Sequence, residues 1–318
     1  MYINYRSLQI EPTNRCNLKC RVCWHTLGAP KGYGDLSFDL FKTIFSQFDG
    51  IQDLNLQGLG EPFLSQDLLN MISHVKHKKV DVWLTSNLNI DIDEKFARSI
   101  VKSGLTKIRI SIDASSEKEY GKIKKRGSFK KVINAIRLIN RIKSELSSDF
   151  PILAFNTIAM KRNIKDLQNI IKLAHSLGIY EIALIPLVIF NKGIATKNES
   201  LDNNIPLLRE YTDGIFKTAQ DLGIKLEEGI SAVVHPKEMG LKTNEKPKCT
   251  YGCFVDCFGF LYPCCNVKYF LGNFRNENLS EMVNNGRYNF FEKNILQRKL
   301  GCSSCMEILN NTQVNLSP

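Results

Sequence analysis

The 318-residue sequence predicts an α/β protein, with six β/α units forming a curved sheet or partial (β/α)6 barrel over residues 1–230 and a small cysteine-rich module over residues 231–318. Three observations predict it. From Ser7 to about Leu226 short apolar runs alternate with longer amphipathic stretches, the pattern of β/α units around a parallel sheet. From about Ser231 the chain turns to short pieces rich in Gly, Pro and Cys, with too little apolar content to fold by helix packing alone, so a metal is expected to hold them. The ten cysteines gather towards the two ends of the chain.

Strands are expected at Ser7–Pro12, Asp53–Gln57, Val80–Thr85, Lys107–Ile112, Ile152–Met160 and Ile179–Leu187, where apolar residues run together between turn signals. Helices are expected at Phe38–Phe48, Gln66–Lys76, Glu94–Lys102, Phe129–Leu146, Ile164–Leu177 and Ile205–Leu222. In the fifth, Ile164, Leu167, Ile170, Ile171, Ala174 and Leu177 recur at helical spacing, and Gly178 follows as a C-cap. Right-handed crossovers between parallel strands put functional loops at the strands' C-terminal ends. The polar segment Asn191–Asn204 is long for a loop of this kind and reads as a lid or as decoration.

Hydrophobic residues make up 43% and charged residues 24%, an ordinary globular mix that excludes disorder and fibrous structure. No basic start with an apolar stretch resembles a signal peptide, and no apolar run approaches a membrane span, so a cytoplasmic protein with no membrane partner is expected. Cysteines in a reducing compartment point to metal rather than disulfides. The net charge of +11 collects in runs such as Lys122, Lys124, Lys125, Arg126, Lys130 and Lys131. No nucleic-acid motif accompanies them, so they read as solvated helix faces and nucleic acid is not the expected partner.

After the first strand the sequence reads Thr13-Asn14-Arg15-Cys16-Asn17-Leu18-Lys19-Cys20-Arg21-Val22-Cys23-Trp24. Thiolates suit iron–sulfur clusters or zinc, and three of them in a short loop leave one metal position open, as a site that binds a substrate or cofactor requires. Zinc remains the alternative, although its sites usually come as paired CxxC knuckles.

This loop resembles the hallmark CxxxCxxC of the radical S-adenosylmethionine superfamily, in the phrase Ile10-Glu11-Pro12-Thr13-Asn14-Arg15-Cys16-Asn17-Leu18-Lys19-Cys20. The resemblance implies a TIM-like partial barrel. It also implies a 4Fe–4S cluster on Cys16, Cys20 and Cys23, and an open iron that chelates S-adenosyl-L-methionine for reductive cleavage to a 5′-deoxyadenosyl radical. Gly58-Leu59-Gly60-Glu61-Pro62 looks like the family's GGEP segment, with Gly60 and Glu61 aligned and Leu59 in place of a glycine. Asn87 at the end of the third strand, and Ser111 and Asp113 at the end of the fourth, resemble the family's cofactor-contacting strand ends, and Arg126 suits the methionine carboxylate. Capping of strands and helices, and for Arg126 a solvated charge, are the competing readings.

The C-terminal module reads Cys249, nine residues, Gly259, four residues, Cys264, then Cys265 and a final Cys302-Ser303-Ser304-Cys305. Four thiolates from Cys249, Cys264, Cys302 and Cys305 would close a four-coordinate site, of iron–sulfur or of zinc. With Leu261-Tyr262-Pro263-Cys264-Cys265 and Leu271-Gly272-Asn273-Phe274 the module resembles the SPASM/twitch extension of the same superfamily, which binds auxiliary 4Fe–4S clusters. No cysteine follows Cys305, which fits one auxiliary cluster rather than two. Cys253, Cys257 and Cys265 are left over, as hydrogen-atom donors to a substrate radical or as small buried residues.

The resemblance therefore implies a radical oxidoreductase that abstracts a substrate C–H hydrogen and passes an electron to the auxiliary cluster, served by a donor such as flavodoxin or ferredoxin. Sugar-alcohol dehydrogenases, sulfatase-maturing enzymes and peptide maturases are of this kind. The chain starts almost at the first strand, where many peptide maturases carry a leader-binding domain; that and the basic balance favour a small anionic, sugar-like substrate over a peptide. Redox-neutral epimerisation through a spare cysteine is the alternative. A zinc-stabilised nucleic-acid-binding protein is a third reading, which leaves the glycine–glutamate turn and the strand ends without a role.

Overall fold

The computed structural model describes residues 6–28, 32–187, 198–201, 205–227, 253–265 and 269–296. Its strands are β1 Ser7–Ile10, β2 Asp53–Leu56, β3 Asp81–Ser86, β4 Lys107–Ser111, β5 Ile152–Ala159, β6 Glu181–Pro186, β7 Lys225–Glu227, β8 Phe254–Val255, β9 Phe260–Tyr262 and β10 Gly272–Asn273. The six sequence-predicted strands are all present within one or two residues at each end, and the protein is α/β with a parallel sheet as its core. The chain divides into two compact units. One comprises Met1–Arg15, Gly32–Trp83 and Asn244–Pro318, the other Cys16–Lys31 and Leu84–Thr243.

In the first unit the strand order is β10-β9-β8-β1-β2-β3. β1 pairs in parallel with both β2 and β8, while β8–β9 and β9–β10 are antiparallel. Alternation along β1 decides which side is core: Leu8 and Ile10 are fully buried, and Ser7 and Gln9 face the other way, bonding the Asp53 carboxylate and the Gln57 carbonyl. Helix Phe38–Phe45 starts at Ser37, whose hydroxyl accepts from the Leu40 N–H, and buries Phe41, Ile44 and Phe45. Helix Leu68–Val75 buries Leu68, Met71, Ile72 and Val75 at the same three-and-four spacing.

In the second unit β4, β5, β6 and β7 run parallel in that order. Ile108 and Ile110 of β4 are fully buried, and Lys107, Arg109 and Ser111 form its other, half-buried face. There Lys107 pairs with Glu181 (2.5 Å) and Glu227 (3.5 Å), and Arg109 with Glu227 (2.7 Å), so charge on this face is internally matched. Helix Phe129–Glu145, capped by Ser128, buries Val132, Ile133, Ala135, Ile136, Ile139 and Ile142. Helix Leu167–Ser176 ends as expected at Gly178, in the left-handed region at φ 70°, with its N–H on the His175 carbonyl.

Several elements were not expected, β7 and helix Glu117–Ile123 among them. β7 is three residues long, and Lys-Leu-Glu has no apolar run to announce it; pairing with β6 creates it. Helix Glu117–Ile123 is short, contains Gly121 and is charged, so it merges in the sequence with the basic run behind it. Of the segment Asn191–Asn204 only residues 198–201 are described; Glu199 pairs with Arg162 there, and the lid reading lies outside the described residues. Among the described residues no helix is long and apolar enough to cross a membrane.

Candidate radical-cofactor site

The cysteine loop belongs to the second unit. Cys16, Cys20 and Cys23 are half-buried and in no disulfide. Leu18 between them is 2% exposed and anchors the loop. Val22 packs, as Ile158 does, on the buried cluster of Ile123, Met160 and Leu187. Two backbone bonds, Lys19 N to Lys125 O and Arg21 N to Ile123 O (both 3.0 Å), bracket Cys20 and lay it against the turn that contains Lys124. Cys23 caps the short helix Trp24–Leu27, its carbonyl accepting from the Thr26 and Leu27 N–H groups at 3.0 Å each.

An asparagine relay holds the first cysteine. The Asn87 amide donates to Cys16 Sγ (3.9 Å) and to Asn17 Oδ1 (3.0 Å), and the Asn17 amide donates to the Asn89 carbonyl (2.7 Å). Asn89 continues the chain to the Tyr120 hydroxyl (2.6 Å) and accepts from the Ser128 N–H (2.6 Å). The turn between them puts Leu88 at φ 48°, a conformation an L-residue rarely adopts, stabilised by Ser86 Oγ and Asn87 Oδ1 accepting from the next N–H groups.

Cys20 faces charge. Burial pushes its thiol up to about 11, opposed first by the Lys124 ammonium, with Cys23, Asp113 and Cys16 adding to the rise. Lys124 is 6% exposed and sits 2.8 Å from Asp113, which is 1% exposed and also accepts from the Ile158 N–H (2.8 Å). Burial disfavours the Lys124 ammonium, but Asp113 first among its neighbours reverses that and holds it protonated. Arg126, by contrast, is exposed, at φ 68°. Ser111 lies half-buried at the end of β4. Sequence reading singled out Arg126 and overlooked Lys124. The available signal was spacing, since Tyr120, Ile123 and Lys124 share one helical face and the first two are apolar in body.

The glycine–glutamate turn belongs to the first unit. Glu61 is 2% exposed, its carboxylate accepts from the Phe63 N–H (3.2 Å), and its own N–H donates to the Arg15 carbonyl (2.8 Å). Gly60 lies so close to the Thr13–Arg15 backbone that a Cβ there would come within 2.5 Å of the Arg15 carbonyl oxygen. Glu11 fixes the turn from beneath. It is 3% exposed, and its two oxygens accept from the Leu59 N–H (2.6 Å) and the Cys257 N–H (3.3 Å).

Burial pushes the Glu11 carboxyl up to about 7, with the Leu59 and Cys257 N–H groups opposing and Asp256 adding to the rise. An acid that keeps its proton better folded than unfolded contributes stability below its unfolded value of 4.5 and loses it as pH climbs to about 7. The fold is therefore expected to lose roughly 3 kcal/mol from this group across that window. Glu11→Gln should flatten the slope. Urea midpoints at about pH 5 and about pH 7.5 check this, and an unchanged slope in the variant would assign the pH dependence elsewhere.

The C-terminal strands also belong to the first unit. The glycine of the cysteine–glycine–cysteine pattern, Gly259, makes the β8–β9 turn at φ 89°, with its N–H on the Asp256 carbonyl (3.0 Å). Asp256 accepts from the Phe258 and Phe260 N–H groups and from the Tyr262 hydroxyl (3.1 Å). Cys264 follows β9 and is half-buried, Cys265 is exposed, and Cys253 and Cys257 are buried. Cys249, Cys302 and Cys305 lie outside the described residues.

The loop's donor set is three soft thiolates, which suit an iron–sulfur cluster or zinc. Among the described residues no three His, Cys, Asp or Glu side chains converge as a single ion requires. A mononuclear zinc needs all its ligands about 2.3 Å from one point. A cubane asks for one thiolate at each of three irons, which the three half-buried thiols of this loop supply.

The family model for the radical SAM superfamily matches residues 10–174, more than half of the chain. The chain belongs to the radical SAM superfamily. A probable GTP 3′,8-cyclase of Methanocaldococcus jannaschii is 30% identical over 206 residues, which cover 63% of this chain and 66% of that protein, so the chain matches less than two thirds of that relative's length. A GTP 3′,8-cyclase of Clostridium botulinum is 25% identical over 308 residues, 90% of each chain. Among solved structures, native anSMEcpe with bound AdoMet superposes with a TM-score of 0.68 at 19% identity, covering 90% of this chain and 82% of that one. At that identity the likeness establishes the fold.

Proposed function

We propose that this radical SAM protein is an enzyme in which Cys16, Cys20 and Cys23 hold a 4Fe–4S cluster and leave one iron for S-adenosyl-L-methionine. The observation that carries the reading is the loop itself: three half-buried thiols, one accepting from Asn87 and one beside Lys124, inside the matched family region. When bound, the pair supplies one-electron cleavage to a 5′-deoxyadenosyl radical, which removes a substrate hydrogen. The chain's part is to hold and shield. Asn87 stabilises charge on the Cys16 sulfur, and Gly60 and Glu61 correspond to the family's contact with the methionine amino group. Asn87, Ser111, Asp113 and Arg126 are the further cofactor contacts proposed. Because Lys124 and the Ile158 N–H already occupy the Asp113 carboxylate, its contribution acts through that pair.

For the substrate step we favour oxidation: Cys249, Cys264, Cys302 and Cys305 would hold one auxiliary 4Fe–4S cluster, a group that would supply a one-electron acceptor, while a base would take the proton. The module from residue 231 would then be of the SPASM/twitch type. A small anionic substrate agrees with the net charge of +11 and with relatives whose names carry GTP; a peptide is the other substrate class. Flavodoxin or ferredoxin suits the first electron. Epimerisation is the second reading, and one observation agrees with it: Cys265 is exposed, as a donor to a substrate radical has to be, while Cys253 and Cys257 are buried.

Anaerobic reconstitution tests both levels. About eight irons per chain and 5′-deoxyadenosine on addition of reductant and S-adenosylmethionine are expected. A colourless zinc protein would sink the reading. Cys264→Ala should lower iron to about four per chain with the S-adenosylmethionine-responsive signal retained, whereas unchanged iron would remove Cys264 from the ligand set. Substrate arms with GTP, nucleotide-linked sugars and peptides, run in deuterated water, separate the outcomes. Deuterium at an inverted carbon, lost in Cys265→Ala, would establish epimerisation.

A further inference from the structure

We propose that Lys124 is a positioning residue of the cluster: its buried ammonium, set beside the cysteine loop by the backbone on either side of it, makes the cluster held there easier to reduce. The inference rests on the cluster reading above and extends it to a residue with no place in the family resemblance.

A lysine in a basic run normally reaches water. This one does not. It is 6% exposed, whereas Lys122, Lys125 and Arg126 around it are exposed. Burying a cation is costly unless it is paired, and pairing alone is often no gain over an apolar residue, so the position calls for a role. Its partner Asp113 (2.8 Å) is itself fixed. The Ile158 N–H donates to the second carboxylate oxygen (2.8 Å), and Asn163 donates to the Asp113 carbonyl (3.0 Å). The ammonium therefore rests on a rigid anchor in the second unit.

The cysteine loop is tied to that anchor by backbone. The bonds from Lys19 to Lys125 and from Arg21 to Ile123 flank Cys20 on one side and Lys124 on the other, as two paired strands would. Those bonds set the buried ammonium, fixed on Asp113, beside the stretch of backbone that carries Cys20. Adding an electron to a cluster adds negative charge, and a fixed cation in a low-dielectric surrounding stabilises the reduced state more than the oxidised one. Net charge near the sulfurs is among the levers that set cluster potentials.

The test is an anaerobic redox titration of the reconstituted full chain, following the signal that shifts when S-adenosylmethionine is added. Lys124→Met with Asp113→Asn removes both charges and leaves no unpaired ion. It should keep the iron content and lower the reduction equilibrium constant about tenfold, which is 59 mV for one electron. Lys124→Arg should restore the wild-type midpoint. Asp113→Asn alone keeps the bond from Ile158, leaves the cation uncompensated and should move the midpoint in the opposite direction. Lys122→Met, at an exposed site paired with Glu119, is the control and should shift nothing. Loaded variants with the wild-type midpoint would overturn the proposal while leaving the cluster reading intact. If wild-type protein takes up no four-iron cluster, the cluster reading itself fails. Should the double variant not fold, Asp113→Asn and Lys124→Arg still decide, because a merely structural lysine predicts no shift in either.

Discussion

Cys20→Ala is expected to abolish the S-adenosylmethionine-responsive cluster and with it 5′-deoxyadenosine formation. Cys20 is the middle ligand of the proposed set, and its neighbours cannot substitute. The backbone bonds on either side hold its Cα against Ile123–Lys125, and Leu18 and Val22 are packed in place. Losing one of three thiolates leaves two, too few to retain a cubane that already lacks a fourth protein ligand. The loss of turnover should exceed about a hundredfold, because outer partners of metal ligands alone are worth roughly 10–100-fold. Asn87→Ala supplies that comparison. It deletes the donor to Cys16 and the link to Asn17 while keeping every thiol, and should fall in the 10–100-fold range. Iron content and 5′-deoxyadenosine release measure both. A Cys20→Ala protein with full iron and turnover would remove this loop from the chemistry.

Much of this was legible in the sequence because local pattern and tertiary role coincide. Helix Phe129–Glu145 repeats isoleucine and valine at three and four residues, so its buried face is written in its period. β5 and the Gly178 stop are of the same kind. The cysteine spacing is legible for another reason: thiolates at short intervals on one loop have few uses. What was not legible depends on partners distant in sequence. Lys124 looks like its solvated neighbours until Asp113 and the cysteine loop close over it. Glu11 is one more polar residue just past β1, and the N–H groups that hold its buried carboxylate, from Leu59 and Cys257, lie 48 and 246 positions away. Arg126 stands out among the cations in the sequence because a guanidinium suits a carboxylate; it is exposed, with its backbone in the left-handed region, and nothing in the local composition announces that conformation.

Gly60→Ala is expected to destabilise the first unit by about 3 kcal/mol and to weaken S-adenosylmethionine binding, although a methyl group is the whole change. The cause is what the methyl would meet. Its neighbours are backbone atoms of Thr13 and Arg15, with the Arg15 carbonyl oxygen at 2.5 Å and its nitrogen at 2.9 Å, and backbone cannot swing aside as the end of a side chain does. Relief requires the turn to move, and the turn is held on both flanks. Leu59 donates to Glu11, and Glu61 donates to Arg15 and accepts from Phe63. Breaking the Glu61–Arg15 bond would strand a donor on a residue that is 2% exposed, adding its own penalty. Gly121 provides the contrast. No heavy atom lies within 4 Å of a Cβ there, and it sits inside helix Glu117–Ile123, so Gly121→Ala should stabilise by up to about 1 kcal/mol. Urea unfolding of both variants, with S-adenosylmethionine titrated into the reconstituted protein, separates crowding from mere loss of glycine flexibility. If the two alanines behaved alike, close approach at Gly60 would not be what the turn requires.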